Sequence, residues 1–99
     1  MSTAISEKDF RQQILDLAKL TGWKCYFTWN SLHSPSGFPD LVMVRDRRQV
    51  FAELKSEKGK LTEYQMEWIK ALQDIPGNEV YVWRPSNWDG IVGVLERNA

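Results

Sequence analysis

Residues 37–60 read GFPDLVMVRDRRQVFAELKSEKGK. Two short apolar runs, PDLVMV and VFAEL, each carry a carboxylate where a buried strand calls for an apolar side chain. Asp40 opens the first run, Glu53 lies inside the second, and Lys55 follows two residues later. If Asp46-Arg47 is a two-residue hairpin loop, Arg45 pairs with Arg48. Followed back, that register sets Asp40 opposite Glu53, with Cβ atoms roughly 5 Å apart. A three-residue loop would move the pairing by one, and Asp-Arg is not a favoured loop pair. Like charges directly opposed destabilise a sheet unless something positive lies between them. A hard divalent cation satisfies both acids, because Mg²⁺ takes carboxylate oxygens and water. Alternation puts Lys55 on the face of Glu53. There it either forms an ion pair with Asp40 or Glu53, or stabilises phosphate charge and orients or deprotonates a water. Spacing alone leaves both roles open.

Composition bounds what surrounds this hairpin. At 99 residues the chain is one domain, and 42% hydrophobic with 26% charged residues fits a soluble globular protein. The lone Cys25 has no partner for an internal disulfide, and no apolar run approaches the ~20 residues of a membrane helix. A cytoplasmic location is expected. Net charge is zero, which argues against bulk capture of nucleic acid. The charge is uneven, however: residues 45–60 hold six basic and three acidic side chains, and residues 61–99 hold three basic and six acidic. A basic patch is therefore expected beside the hairpin, either as a solvated turn or as a contact for phosphates. No GxGxxG or P-loop pattern is present, so no nucleotide cofactor is expected.

Outward from the hairpin, Ser6 with Asp9 suits a helix start, and Phe10, Ile14, Leu17 and Ala18 continue it to Gly22. KCYFTW, residues 24–29, reads as a strand, and NSLHSPSG, residues 30–37, as a loop. Thr62-Glu63-Tyr64-Gln65 forms a capping box that opens a second helix, which Pro76-Gly77 stops. EVYVWR reads as a strand, and the tail from Ser86 as a short helix. The order is α-β-β-β-α-β-α. Because both hairpin runs are apolar on both faces, helices are expected on both sides of the sheet.

Pro39-Asp40 followed by Glu53-Leu54-Lys55, in this element order, resembles the signature of the PD-(D/E)XK nucleases. The segments SGFPDLVMV and FAELKSEKGKLTEYQMEWI make the chain similar to the small virus-type replication–repair nuclease domain, VRR-NUC, in a stand-alone phage-type form. The resemblance covers nearly the whole chain. It implies an α/β fold of restriction-endonuclease-like type, a mixed sheet flanked by helices. It also implies Mg²⁺- or Mn²⁺-dependent hydrolysis of DNA phosphodiesters, selective for four-way junctions or other branched DNA, by a homodimer. Asp40, Glu53 and the Leu54 carbonyl would be metal ligands and Lys55 the catalytic lysine. Glu7 matches a family acid near the metal, and otherwise serves the helix dipole as a first-turn acid. Gln65 matches a family glutamine at the active site, and otherwise completes the capping box.

Arg48, Lys58 and Lys60 are candidates for gripping backbone phosphates. His33 is either an ordinary loop residue or a contact at the scissile phosphate. Trp83 and Trp88 are core residues by default, with stacking on DNA bases or anchoring a dimer interface as the alternatives. The rival functions are a catalytically silent nucleic-acid-binding module of the same fold, and a ribonuclease.

Overall fold

The computed structural model describes residues 5–28 and 36–98. Helix α1 spans Glu7–Leu20, and strands β1, β2 and β3 span Lys24–Phe27, Leu41–Arg45 and Arg48–Leu54. Helix α2 (Glu63–Gln73), strand β4 (Asn78–Trp83), a 3₁₀ turn (Pro85–Asn87) and helix α3 (Trp88–Glu96) complete the chain. The four strands lie in the order β1-β2-β3-β4, antiparallel except for the parallel pair β3–β4. A parallel neighbour needs a crossover, and α2 supplies it. No helix among the described residues is long and apolar enough to cross a membrane.

The helix ends follow the expected chemistry. The Ser6 hydroxyl accepts the Asp9 N–H at 3.1 Å, and Thr62 and Gln65 form the reciprocal capping box at the start of α2. Gly22, at φ +89°, takes the left-handed conformation that ends α1. The β2–β3 turn is the two-residue loop Asp46-Arg47, and Arg45 pairs with Arg48 as the shorter register requires.

Period-two alternation gives the sheet two different faces. On one, Leu41, Met43, Val50, Ala52, Leu54 and Trp83 pack against Phe10, Ile14 and Ala18 of α1 and Ile91 and Leu95 of α3. On the other, α2 buries Ile69 and Leu72 over the β3–β4 side. There the Phe38 ring meets Phe51 and Trp68 edge-on, at centroid separations of 6.1 and 5.0 Å. Helices thus flank both faces, but Tyr26 and Val44 on the β1–β2 part of the α2 face remain exposed.

One site candidate, Arg48, has a role other than that expected from sequence, and the two tryptophans take the core role among their alternatives. Arg48 is not a surface cation: it is 8% exposed and both edges of its guanidinium are occupied within the fold. Its Nε and Nη2 each donate to a Glu79 carboxylate oxygen at 2.7 Å, and Nη1 donates to the Val94 and Arg97 carbonyls at 3.0 and 2.7 Å. A guanidinium committed to one carboxylate and a helix C-terminus has no edge left for DNA. Trp83, at 4% exposure, lies inside the core and cannot anchor an interface, and Trp88 packs half-buried against the same core.

Candidate active site

The site forms where the hairpin register reaches its last rung. The β2–β3 ladder ends with Leu41 opposite Ala52, and one step further brings Asp40 level with Glu53. The Asp40 carbonyl accepts the Thr28 N–H at 3.2 Å, and its carboxylate Oδ2 accepts the Leu54 N–H at 2.9 Å. The acid thereby replaces the missing strand partner of Leu54, which ties its side chain to β3.

Glu53 is only 3% exposed, between Ala52 and Leu54 in the most buried strand of the sheet. Its Oε2 accepts a hydrogen bond from Gln65 Nε2 at 2.8 Å. Its Oε1 is buried with no hydrogen-bond partner among the described residues. An unpaired carboxylate oxygen in an apolar strand is costly, and the protonation equilibrium reflects that cost. Burial first, and the facing Asp40 charge second, push Glu53 up to about 7, against a smaller downward pull from Lys55.

Lys55 lies one step beyond β3, its N–H bonded to the Trp83 carbonyl at 2.9 Å. Its Nζ is 3.9 Å from Glu53 Oε2, within ion-pair range but too far for a hydrogen bond. The ion pair exists, but it does not close: among the described residues the amine has no hydrogen-bond acceptor and one Glu53 oxygen has no partner.

The two readings of Gln65 prove to be one geometry. Its Oε1 accepts the Thr62 N–H at 2.9 Å to complete the capping box, while its Nε2 donates to Glu53. An amide has a separate acceptor and donor end, so one side chain both caps α2 and reaches the site.

Gly37 is the contributor that sequence reasoning overlooked. At φ +94° its backbone presses against the first turn of α2, where a Cβ would come within 2.5 Å of the Tyr64 carbonyl carbon. That contact fixes the segment leading into Asp40 against the helix that carries Gln65. The only signal in the sequence is a glycine three residues ahead of Asp40.

Of the other candidates, Leu54 is 5% exposed and joins the site through its N–H. Lys58 and Lys60 are exposed on the loop between β3 and α2. Glu7 is exposed in the first turn of α1 and is not brought into a cluster with Asp40 and Glu53. Among the described residues no three His, Cys, Asp or Glu side chains group closely enough to hold a metal ion. His33 falls outside the described residues.

The donor set that is present fits a hard cation. Two opposed carboxylates offer oxygen ligands, and Glu53 Oε1 has no hydrogen-bond partner among the described residues. The arrangement offers two acids for a divalent ion, an amine beside them, and an amide that orients one acid.

Comparison with known proteins identifies the family and the fold. The family model of the VRR-NUC domain matches residues 3–86. A solved VRR-NUC domain protein superposes with a TM-score of 0.72 at 17% identity, over 95% of this chain and 88% of that one. Hjc of Archaeoglobus fulgidus, a Holliday junction resolvase, superposes with a TM-score of 0.58 at 24% identity, over 78% of this chain and 67% of that one. Among curated proteins none matches by sequence. At these identities the two structures attest the shared fold.

Proposed function

This chain belongs to the VRR-NUC family of nucleases, and we propose that it is a divalent-metal-dependent DNA endonuclease acting on branched DNA. The observation that carries this reading is the buried Glu53 carboxylate, which faces Asp40 with one oxygen unpartnered among the described residues and Lys55 Nζ at 3.9 Å. Asp40, Glu53 and the Leu54 carbonyl would hold Mg²⁺ or Mn²⁺. When bound, such a cation supplies Lewis-acid polarisation of the scissile phosphate and lowers the pKa of an attacking water.

The chain's own groups do the rest. Gln65 holds the Glu53 side chain in one orientation through the 2.8 Å bond. The Leu54 N–H does the same for Asp40. Lys55, whose amine is not consumed by Glu53, stabilises the negative charge that develops on the phosphate. Lys58 and Lys60 contact backbone phosphates without reading sequence. Selectivity for a four-way junction is supported by the fold shared with the archaeal resolvase. A two-fold dimer would present two sites to such a two-fold substrate.

The test is cleavage of a panel of junction, flap, duplex and single-stranded DNAs, with RNA counterparts, in Mg²⁺, Mn²⁺ or EDTA. Junction cleavage only with a divalent ion, lost in Asp40→Asn, is expected. Metal binding without cleavage of any substrate would leave a silent binding module, and cleavage confined to RNA would make the protein a ribonuclease. Sedimentation with and without junction DNA tests the dimer; a monomer under both conditions refutes it.

A further inference from the structure

The segment that carries Lys58 and Lys60 has no regular secondary structure between the end of β3 and the Thr62 cap of α2. Lysines on a free loop contribute little to binding, because ordering them costs entropy at each encounter. This loop is tied down from two sides by residues just past β4.

Leu54 lies opposite Trp83 in the parallel ladder, so the next rung sets Lys55 level with Arg84. Arg84 is still extended, at φ −120° and ψ 158°, and alternation places it on the same face as Lys55 and Glu53. Its guanidinium reaches across the loop. Nη1 donates to the carbonyls of Ser56 at 2.6 Å and Gly59 at 2.7 Å, and at 3.3 Å to that of Glu57. From the other side, the Glu57 carboxylate accepts the Ser86 N–H, and its Oε2 accepts the Ser86 hydroxyl at 2.9 Å. Asn87 closes the arrangement, its Oδ1 accepting the Arg84 N–H at 2.7 Å.

These bonds grip main-chain carbonyls on one side and a single acid on the other. They involve neither lysine, and Lys58 and Lys60 are left exposed. We infer that Arg84, with Glu57 and Ser86, is a positioning residue for nucleic-acid binding: it holds the 56–60 loop so that Lys58 and Lys60 form a preordered phosphate-binding edge beside Lys55. The assignment rests on the nuclease reading above and adds to it the device that places the phosphate contacts.

Glu57 provides a test in which the sign of the effect decides. Glu57→Ala removes a negative charge beside two lysines, so charge alone would tighten DNA binding. Loss of the clamp would weaken it. Junction-DNA affinity is measured in a Lys55→Ala background with Mg²⁺, and KM and kcat in the competent proteins. Glu57→Ala and Arg84→Gln should each weaken binding about tenfold and raise KM far more than they lower kcat, as expected for two lysines losing their preordering. Both effects should largely vanish when Lys58→Gln and Lys60→Gln are already present. Tighter or unchanged binding in Glu57→Ala overturns the assignment. So does an Arg84→Gln effect that persists in full without the two lysines, since Arg84 would then touch phosphate itself. Glu57 is exposed and outside the core, so its variant keeps the test decisive should Arg84→Gln fold poorly. A wild-type protein that neither binds nor cuts DNA removes the nuclease reading and the clamp together; a wild type that cuts while Glu57→Ala binds as tightly removes only the clamp.

Discussion

Strand β3 carries a buried charge near each end. At its start Arg48 faces α1 and α3, where Glu79 holds it bidentately at 2.7 Å on each arm. Arg97 and the Tyr81 hydroxyl add donors to the same Glu79 oxygen at 3.0 and 2.9 Å. The Trp23 ring lies 4.9 Å from the Arg48 guanidinium carbon and 4.6 Å from that of Arg45. Arg45 Nη1 donates to the Thr21 and Leu95 carbonyls at 2.8 Å each, so cations complement the C-termini of both α1 and α3. Here the hydrogen bond from Arg48 draws Glu79 below its ordinary value. Five residues along the strand and on the opposite face, Glu53 has a second acid in front of it, a lysine at 3.9 Å, and an oxygen with no partner among the described residues.

The two clusters use the same residue types with opposite accounting. At the Arg48 end nearly every donor meets an acceptor, which is what a buried ion pair needs to offset desolvation. The exception is Arg45 Nε, 3.5 Å from Asp46 without a hydrogen bond. At the Glu53 end the donors and acceptors do not balance, and the imbalance persists because the surrounding core holds it in place. Satisfied buried charge organises the helices; unsatisfied buried charge is what the proposed metal site would use.

The largest effect that this contrast predicts is in catalysis. Lys55→Ala should slow cleavage by at least about a hundredfold, the order seen when a group stabilising transition-state charge is removed. Circular dichroism and metal affinity should remain near wild type, since no ligand is lost. Cleavage at the wild-type rate would make Lys55 a structural partner of Glu53 and render the two ends alike.

The next effect is in stability, at the other end. Arg48→Ala strands Glu79 and frees the α3 carbonyls, and should cost roughly 3–5 kcal/mol in urea unfolding. Removing Glu79 as well should recover part of that loss. The fraction that remains folded at low temperature should still cut DNA. A cost below about 1 kcal/mol would mean that the network contributes little more than exposed ion pairs do.

These two ends were not equally legible in the sequence. The Glu53 end was, because its information is local: loop length and alternation point to Asp40 opposite Glu53 with Lys55 on the same face, and the family resemblance adds the site role of Gln65 to its capping box. The Arg48 end was not. Its partner Glu79 is 31 residues away and reaches it through the parallel β3–β4 pairing, which a charge count over residues 45–60 cannot register. Gly37 escaped notice for the same reason, since its contact is with backbone on α2. Glu7 had two readings in the sequence, and its exposed first-turn position favours the helix dipole.

A smaller effect should appear as pH dependence. Glu53 binds its proton more tightly in the folded protein, near 7, than in the unfolded chain, near the ordinary 4.5. Its contribution to stability is therefore fully present below about pH 4.5 and lost as pH rises through 7. Glu53→Gln imitates the protonated form. In EDTA it should match wild type at pH 4 and exceed it above pH 7, by roughly 3 kcal/mol at most. Mg²⁺ should narrow the gap by binding the folded wild type. A stability difference between the two proteins that is the same at pH 4 and pH 8 would mean that folding does not shift the Glu53 proton equilibrium.

The smallest effect concerns the turn beside the Arg45–Arg48 pair. Asp46 and Arg47 have φ of 49° and 70°, the left-handed pattern of a type I′ turn, without a glycine at either position. Two anchored arginines flank them and force the short loop, so the strain is tolerated where the neighbours over-determine the backbone. Arg47→Gly should relieve it, partly offset by the greater freedom of glycine in the unfolded chain, for a net gain of about 0.5–1 kcal/mol. Arg47 is exposed and makes no ion pair or hydrogen bond among the described residues. DNA affinity and cleavage should therefore be unchanged while the urea midpoint rises. A weaker grip on DNA in Arg47→Gly would show that this end of the hairpin also meets phosphate, and that its arginines divide between a buried structural pair and an exposed binding residue at the tip.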